Sequence, residues 1–382
     1  MKNFIYLDNA ATTQVKEAVL QSMLPFFREI YGNPSADHGF ARKAREAVEK
    51  ARVKTASLIG AKGEEIYFTS GGSESDNWAV KAVAEAYKDK GKHIITSKIE
   101  HHAVLHTCEY LEKMGYEITY LDVDEDGKIR LDELEKSVRE DTILISVMAA
   151  NNEIGTIQPI TEIGRIAYDR GVLFHTDAVQ AYGHIPLNVT DMNADLLSAS
   201  GHKFGGPKGV GFLYIKRDVG ISSLIHGGAQ ERSRRAGTYN TPGIVGMGEA
   251  AAIAKAKMEE NMRKQILLRD YLIGRVLGEI PDVRLNGHKH DRLPGNANFS
   301  FASVKSESLL ILLDKLGICA SGGSACTSGS TEPSHVLTAI GLSGDMAQGA
   351  LRLTLSEETD KDEIDYVVEN LKKITARLRG VS

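Results

Sequence analysis

The chain has 382 residues, 46 basic and 51 acidic, and its formal net charge of −5 gives no reason to expect nucleic acid or an anionic membrane as a partner. No apolar run is long enough to span a bilayer, and the opening "MKNFIYLDNAATTQ" turns polar too soon for a signal peptide. Three cysteines, an odd number, argue against a disulfide framework and for a reducing, cytoplasmic setting, and the length exceeds one ordinary hydrophobic core, so two or three domains are expected.

Between about residues 60 and 216, short apolar runs alternate with helical patterns. "EEIYFTSGG", "KHIITSKIE", "YEITYLDV", "TILISVMAA", "VLFHTDAVQ", "DLLSASGHK" and "GVGFLYIKR" read as strands. "SDNWAVKAVAEAYKDKG", "AVLHTCEYLEKMG" and "ITEIGRIAYDRG" read as helices ending near glycine. This alternation predicts a mostly parallel seven-stranded sheet covered by helices, with polar residues of interest just after the strands. A long helical pattern follows from about 243 to 280, and "NANFSFA", "ESLLILLDKLG", "SHVLTAIGLS", "ALRLTLS" and "DEIDYVVENLKKITARLRG" predict a smaller α+β unit. The expected division is a large α/β domain over 15–255 and a small α+β domain formed by 1–14 plus 256–382.

Six stretches carry candidate chemistry. "YFTSGGSESDNWAV" ends a strand at Ser70-Gly71 and opens a helix near Glu74, so Gly72 and Ser73 are candidate contacts for a phosphate, or members of an ordinary strand–helix turn. "SKIEHHAVLH" ends another strand at His101, placed to stack on a planar ring and move protons; His102 and His106 lie close by, without a carboxylate or cysteine spaced to complete a metal site. "DVDEDGKIRLDE", 122–133, fits the calcium-loop pattern, but the strand-like "YEITYLDV" stands where the entering helix belongs, which favours an acidic turn. In "FHTDAVQ", Asp177 ends a strand with Gln180 three residues on: an acid partner for a pyridine nitrogen, or a helix N-cap. In "SASGHKFGGPKGVG", Lys203 stands in a glycine-rich turn, placed for a Schiff base or simply exposed. Cys326, within "SGGSACTSGS", is surrounded by glycine and small hydroxyl residues, the composition of a solvated loop, whereas Cys108 and Cys319 read as structural.

These pieces in this order resemble the NifS/IscS-type cysteine desulfurases, pyridoxal-phosphate enzymes of the aspartate-aminotransferase fold (fold type I). The resemblance runs from "YLDNAATT" to "LRLTLS" and includes "YGNPS", "NNEIGTIQP", "RRAGTYNTPGIVG" and "SGSTEPSHVL". It implies that Lys203 holds pyridoxal 5'-phosphate covalently, that Asp177 pairs with the pyridine nitrogen, and that Gln180 and Asn152 face the phenolic oxygen. It implies further that His101 stacks over the ring, and that Gly72, Ser73, Ser200 and His202 lie at the phosphate, joined by Thr238 of the partner subunit in a homodimer. Asn33 and Arg352 would hold the carboxylate of L-cysteine, and Cys326 would take the sulfur as a persulfide and pass it to an acceptor protein, an iron–sulfur scaffold or a tRNA-thiolation enzyme. The glycine-rich tether predicts a Cys326 able to reach both the cofactor and the surface.

Three other readings are weighed beside it. An aminotransferase, selenocysteine lyase or β-lyase of the same fold would need Lys203 and Asp177 but not Cys326 as sulfur carrier. A thiol hydrolase pairing Cys326 with His335 would leave Lys203, Asp177 and Ser73 unexplained. A calcium-regulated binding protein would rest on the 122–133 loop alone.

Overall fold

The computed structural model describes residues 4–323, 333–342 and 344–380; Cys326 lies outside the described residues. All seven strands expected in the large sheet form. They are β2 (Ile66–Thr69), β3 (His93–Ser97), β4 (Glu117–Leu121), β5 (Thr142–Ser146), β6 (Leu173–Asp177), β7 (Leu196–Ser200) and β8 (Gly211–Ile215), after a short β1 (Ile5–Tyr6). Their order across the sheet is β2-β8-β7-β6-β5-β3-β4, with every pairing parallel except the two made by β8. β2, β3, β5, β7 and β8 are buried at every position, because helices cover both faces. β4, at the edge, is the exception and is only partly covered.

The carboxyl ends of β2, β3, β5, β6 and β7 therefore face one way, and the chain leaves them at Ser70, Lys98, Val147, Ala178 and Gly201. β8 enters this edge from the opposite direction. Its first residue, Gly211, lies so near that a Cβ there would stand 2.7 Å from the Gly71 Cα and 2.5 Å from the Ala199 carbonyl oxygen. That crossing leaves no room for a side chain at 211 and sets the turn that follows β2.

The long helix Thr241–Glu279 spans two apolar cores. Its first half packs Ile244, Met247 and Ala251 against the large sheet's layer, and its second half packs Leu272, Ile273 and Val276 into another core. That second core is built on β9 (Val283–Asn286), β10 (Asn296–Phe301) and β12 (Ala350–Thr354), an antiparallel sheet in the order β12-β10-β9. The helices Ser306–Lys315 and Lys361–Leu378 cover it, the latter started by a reciprocal cap between Asp360 and Glu363. β11 (Ile318–Cys319) pairs in parallel with β1.

The segment after β1 ties the two sheets together. Leu7 sits in the second core, Asp8 bridges Thr354, and the Thr13 amide donates to the His202 carbonyl at 2.9 Å. The 122–133 stretch follows β4 and is a tight turn, closed by an isolated bridge between Val123 and Ile129, and a helix start. Asp124 Oδ1 accepts the amides of Asp126 and Lys128 at 3.0 and 2.8 Å, so the acidic residue closes an Asx turn.

Candidate active site

A cavity of about 230 Å³ opens at the carboxyl edge of the large sheet, between it and β12. It is lined by Gly72, Ser73, His101, Asn152, Asp177, Gln180, Ser200, His202, Lys203 and Arg352, residues scattered over 281 positions of sequence (72 to 352, inclusive). Asn33 and Thr238 do not line it: both are exposed, and Asn33 Oδ1 is engaged by the Ser35 amide at 3.0 Å.

Lys203 follows β7 on a single tight turn, Gly201–Lys203. Its Nζ donates to the carbonyl oxygens of Ala10 and Ala11 at 2.7 and 2.9 Å, and its own carbonyl meets His184 Nε2 at 2.8 Å. Gln180 Nε2 shares the Ala10 oxygen at 3.0 Å. The amine thus stands at the cavity wall on an anchored backbone, held by carbonyls that a competing group can replace.

Asp177 is the last residue of β6 and is 5% exposed. Its Oδ1 accepts the Val179 amide at 2.8 Å, so the local capping role and the cofactor role read from the sequence both fit one carboxylate. Burial pushes its pKa up to about 6, against the pull of the Val179 hydrogen bond and the Lys203 charge. A buried carboxylate in such a position gains from a cationic partner.

His101 caps the helix His102–Lys113, its Nδ1 accepting the Ala103 amide at 3.1 Å. Burial and then the Lys203 charge lower its pKa to about 4. It is neutral near pH 7, and with Nδ1 accepting, its proton lies on Nε2. His202 is likewise lowered to about 4 by burial, then by Lys203 and Lys208, and its Nδ1 lies 3.1 Å from Thr12 Oγ1.

At the other end, Gly71 caps the helix Gly72–Ala86 with no side-chain hydrogen bond, leaving first-turn amides for an anion beside Ser73 and Ser200. Gly71 holds φ +156°, a conformation that favours glycine. A Cβ at Gly72 would lie 2.6 Å from Val179 Cγ2 and push that side chain, which lines the cavity, into it.

Arg352, on β12, is 1% exposed. Nη1 donates to the Asn152 carbonyl at 2.9 Å and Nη2 to Asp8 Oδ1 at 2.9 Å, and among the described residues Nε has no hydrogen-bond partner. Arg352 lines the cavity, and its guanidinium charge is one that an anionic ligand there can meet.

The residues fit pyridoxal phosphate: an amine for its aldehyde, a buried acid for its ring nitrogen, and a helix start without a side-chain cap for its phosphate. Two neighbours were not signalled by the sequence. Asp8 meets Arg352 across 344 residues. Asp76, one turn after Ser73, lines the cavity with Oδ1 buried and 3.7 Å from His175 Nε2, and burial and the nearby Asp177 hold its pKa well above the usual carboxylate range. A helical phase from Ser73 would have found it.

Behind His101, Glu100 is 1% exposed and joins β3 to the end of β5, accepting the Met148 amide at 2.9 and 3.1 Å and the Ser97 hydroxyl. Burial pushes its pKa up to about 8 despite those bonds. A raised carboxyl pKa contributes instability that grows as pH rises from the unfolded value towards the folded one. Between pH 6.5 and 8 the cofactor-free protein is therefore expected to lose stability, with Glu100 contributing up to about 1.4 kcal/mol per pH unit. Glu100→Gln should flatten that slope in denaturant titrations at several pH values; an unchanged slope would assign it to other groups.

Cys108 is buried and its thiol is pushed up to about 12 by burial and nearby carboxylates, the state of an inert structural cysteine.

Residues 5–367 match the aminotransferase class-V family, and the chain belongs to that family. It is 55% identical over 378 residues to the cysteine desulfurase IscS of Methanosarcina thermophila, covering 99% of this chain and 93% of that one. It is 54% identical to the cysteine desulfurase IscS of Dictyoglomus turgidum, covering 100% of this chain and 97% of that one. Among solved structures, a NifS-like protein superposes with a TM-score of 0.92 at 41% identity, covering 98% of this chain and all of that one.

Proposed function

We propose that this chain is a pyridoxal-phosphate-dependent cysteine desulfurase, converting L-cysteine to L-alanine and leaving the sulfur on Cys326 as a persulfide. The observation that carries the reading is one cavity in which the Lys203 amine, the buried Asp177 carboxylate and the buried Arg352 guanidinium converge. Sequence identity of 55% to a cysteine desulfurase over nearly the whole chain supports the choice among family activities.

When bound, pyridoxal phosphate supplies an electron sink for negative charge developing at the substrate's Cα. Lys203 would hold it covalently, Asp177 would keep its ring nitrogen protonated, and Gln180, Asn152 and His101 would lie around the ring. Ser73, Ser200, His202 and the first-turn amides would hold the phosphate. Arg352, which lines the same cavity as Lys203, would bind the substrate carboxylate and so orient the substrate's Cα towards that amine. The Lys203 amine takes and returns the Cα proton. His101, neutral and with Nδ1 committed to Ala103, offers Nε2 to manage a thiol proton. The Cys326 thiolate would then attack the substrate sulfur, forming the sulfur–sulfur bond; the sulfur–carbon bond breaks with its electron pair left to the substrate's Cβ, which takes up a proton, and alanine leaves.

Asn33 and Thr238 stand outside the cavity, and Thr238 is exposed on a surface loop. That placement supports a homodimer in which Thr238 completes the phosphate site of a second copy. The persulfide goes to an acceptor protein, an iron–sulfur scaffold or a tRNA-thiolation enzyme, in the cytoplasm. No helix among the described residues is long and apolar enough to cross a membrane.

The test is L-cysteine added to the purified holoenzyme, with assay of alanine and the mass of the peptide bearing Cys326. One added sulfur together with alanine is the expected result. Cys326→Ser should abolish both while the protein stays yellow. Full alanine production by that variant would instead make this a β-lyase or another family activity.

A further inference from the structure

Three consecutive non-glycine residues, Glu231, Arg232 and Ser233, hold φ of 44°, 56° and 63°. A left-handed turn of that length is disfavoured for residues with a Cβ and persists only where the surroundings over-determine it. Here the surroundings are a buried ion pair. Arg52 and Glu231, 1% and 2% exposed, meet side by side, Nη1 to Oε2 at 2.6 Å and Nη2 to Oε1 at 2.9 Å. Glu231 Oε2 also accepts the Phe68 amide at 3.1 Å, and Arg52 Nη1 also donates to the Ile66 carbonyl at 2.7 Å. Both of those groups belong to β2, whose end opens into the phosphate cup at Gly71–Ser73.

The segment that follows has no ladder of its own. Residues 226–240 contain no strand, whereas β2 is fixed independently by four paired positions on β8. Beyond a few backbone bonds, such as the Ala236 amide on the Ile225 carbonyl at 3.2 Å and the Ser233 amide on the Ala229 carbonyl at 3.2 Å, the loop is held by side-chain fastenings. The Glu231 amide donates to the Tyr239 hydroxyl at 2.9 Å, the Gly237 amide to Gln230 Oε1 at 3.1 Å, and Arg235 forks onto Glu74 at 2.8 and 3.0 Å. Between those fastenings Gly237 and Thr238 stand exposed. Stability alone is a weak reason for a buried ion pair, since apolar residues of similar volume often serve as well. Fixing a strained turn in one geometry is a reason that apolar residues cannot supply.

We propose that the Arg52–Glu231 pair is a positioning device: it locks the left-handed turn at 231–233, and so sets the Thr238 hydroxyl at the height and angle needed by the phosphate site of a second copy. This rests on the dimeric reading given above. The consequence is directional. Damage to the pair in one subunit weakens cofactor binding in the other.

Mixed dimers of the full-length protein, co-expressed with two affinity tags, test it. In the first, Glu231→Gln is placed on the same subunit as Lys203→Ala, so the one site with Lys203 receives the altered loop. In the second, Glu231→Gln is placed on the subunit that keeps Lys203, and its site receives an unaltered loop. Each dimer is stripped and titrated with pyridoxal phosphate, read by the Lys203-dependent visible absorbance. Affinity should fall about tenfold in the first dimer, the size of one charge-assisted hydrogen bond, and less than about twofold in the second. Equal loss in both, or loss only in the second, would reduce the pair to local support and overturn the proposal. Thr238→Ala in the same two arrangements separates the premise from the inference. Should it weaken the first dimer while Glu231→Gln does not, the shared site stands and the positioning role falls. Should neither weaken it, or should the protein sediment as a monomer, the shared site falls and the proposal with it. If Glu231→Gln does not fold, Arg52→Met with Glu231→Leu removes both buried charges and the clasp on Phe68, and is read against the same outcomes.

Discussion

Lys203→Ala is expected to yield a folded, colourless protein that makes alanine from L-cysteine at least about 10³-fold more slowly, the combined loss of a covalent tether and a proton-transfer group. The two roles fall on one amine because of where the chain puts it. The Gly201–Lys203 turn is fastened to the sheet by the Gly201 amide on the Val210 carbonyl and by His184 on the Lys203 carbonyl, so the backbone does not drift when the amine moves. The amine itself is held by two main-chain carbonyls, neutral acceptors that are given up at small cost when a carbonyl carbon or a Cα proton is offered in their place. Lys203→Arg keeps the positive charge facing Asp177 and His101 but offers a guanidinium that does not deprotonate. It should be as inactive as alanine while binding the cofactor without the visible absorbance of the covalent form. Alanine formation by either variant at more than a few per cent of the parent rate, in single-turnover assays, would show that another residue moves the Cα proton. Thermal melting of the cofactor-free proteins supplies the control, since Lys203 is only partly buried and its loss should move the midpoint little.

The large sheet was legible because its strands are short β-branched and leucine-rich runs such as "TILIS" and "HIITS", bounded by turn residues and separated by helices of conventional length. Strand ends were therefore legible too, and with them Asp177, Lys203 and His101, which each stand within four residues of one. Arg352, Asn33, Asn152, Ser200, His202 and Thr238 came from resemblance, since no local pattern distinguishes an arginine that will line a cavity from one that will not. The contacts that join distant chain segments were not legible at all. Nothing in "YLDNAATT" says that Asp8 will meet Arg352 or that the Ala10 carbonyl will receive Lys203, because those partners are chosen by how the β1 segment crosses between two sheets. The left-handed turn at 231–233 is equally silent in "AQERSRR", where a glycine would have been the signal and none is present. The cysteine that the sequence singled out most strongly, Cys326, lies outside the described residues, so its role rests on chemistry and kinship and not on geometry.

Asp177→Asn is expected to move activity and stability in opposite directions. In the cofactor-free protein the carboxylate is a burden: it is buried at the end of β6, its Oδ1 answers only the Val179 amide, and burial raises its pKa to about 6. A carboxyl whose folded pKa lies above its unfolded value of about 3.9 binds more protons folded than unfolded between those limits, so stability is lost as pH rises through them. By pH 8 the loss is complete and amounts to about 3 kcal/mol, two pH units at about 1.4 kcal/mol each. Asparagine fills the same volume, keeps an oxygen for Val179 and has no charge to bury. The cofactor-free variant should therefore be more stable than the parent at pH 8 by up to that amount, and the gain should vanish near pH 4, where both side chains are neutral. In the holoenzyme the sign reverses. On the proposed function the buried carboxylate would then face a protonated ring nitrogen, and removing one partner of a buried ion pair costs about 3–5 kcal/mol, which corresponds to a loss of about 10²–10³-fold or more in the rate of alanine formation. Stability bought back at the expense of rate is the signature of a residue kept for chemistry. Denaturant unfolding of the cofactor-free protein at pH 4 and pH 8, beside alanine formation by the loaded enzyme, measures both halves. A variant that is less stable at pH 8 and only a few-fold slower would mark Asp177 as a structural cap on the turn after β6, and the ring nitrogen's partner would have to be sought in Asp76, the other buried carboxyl lining the cavity.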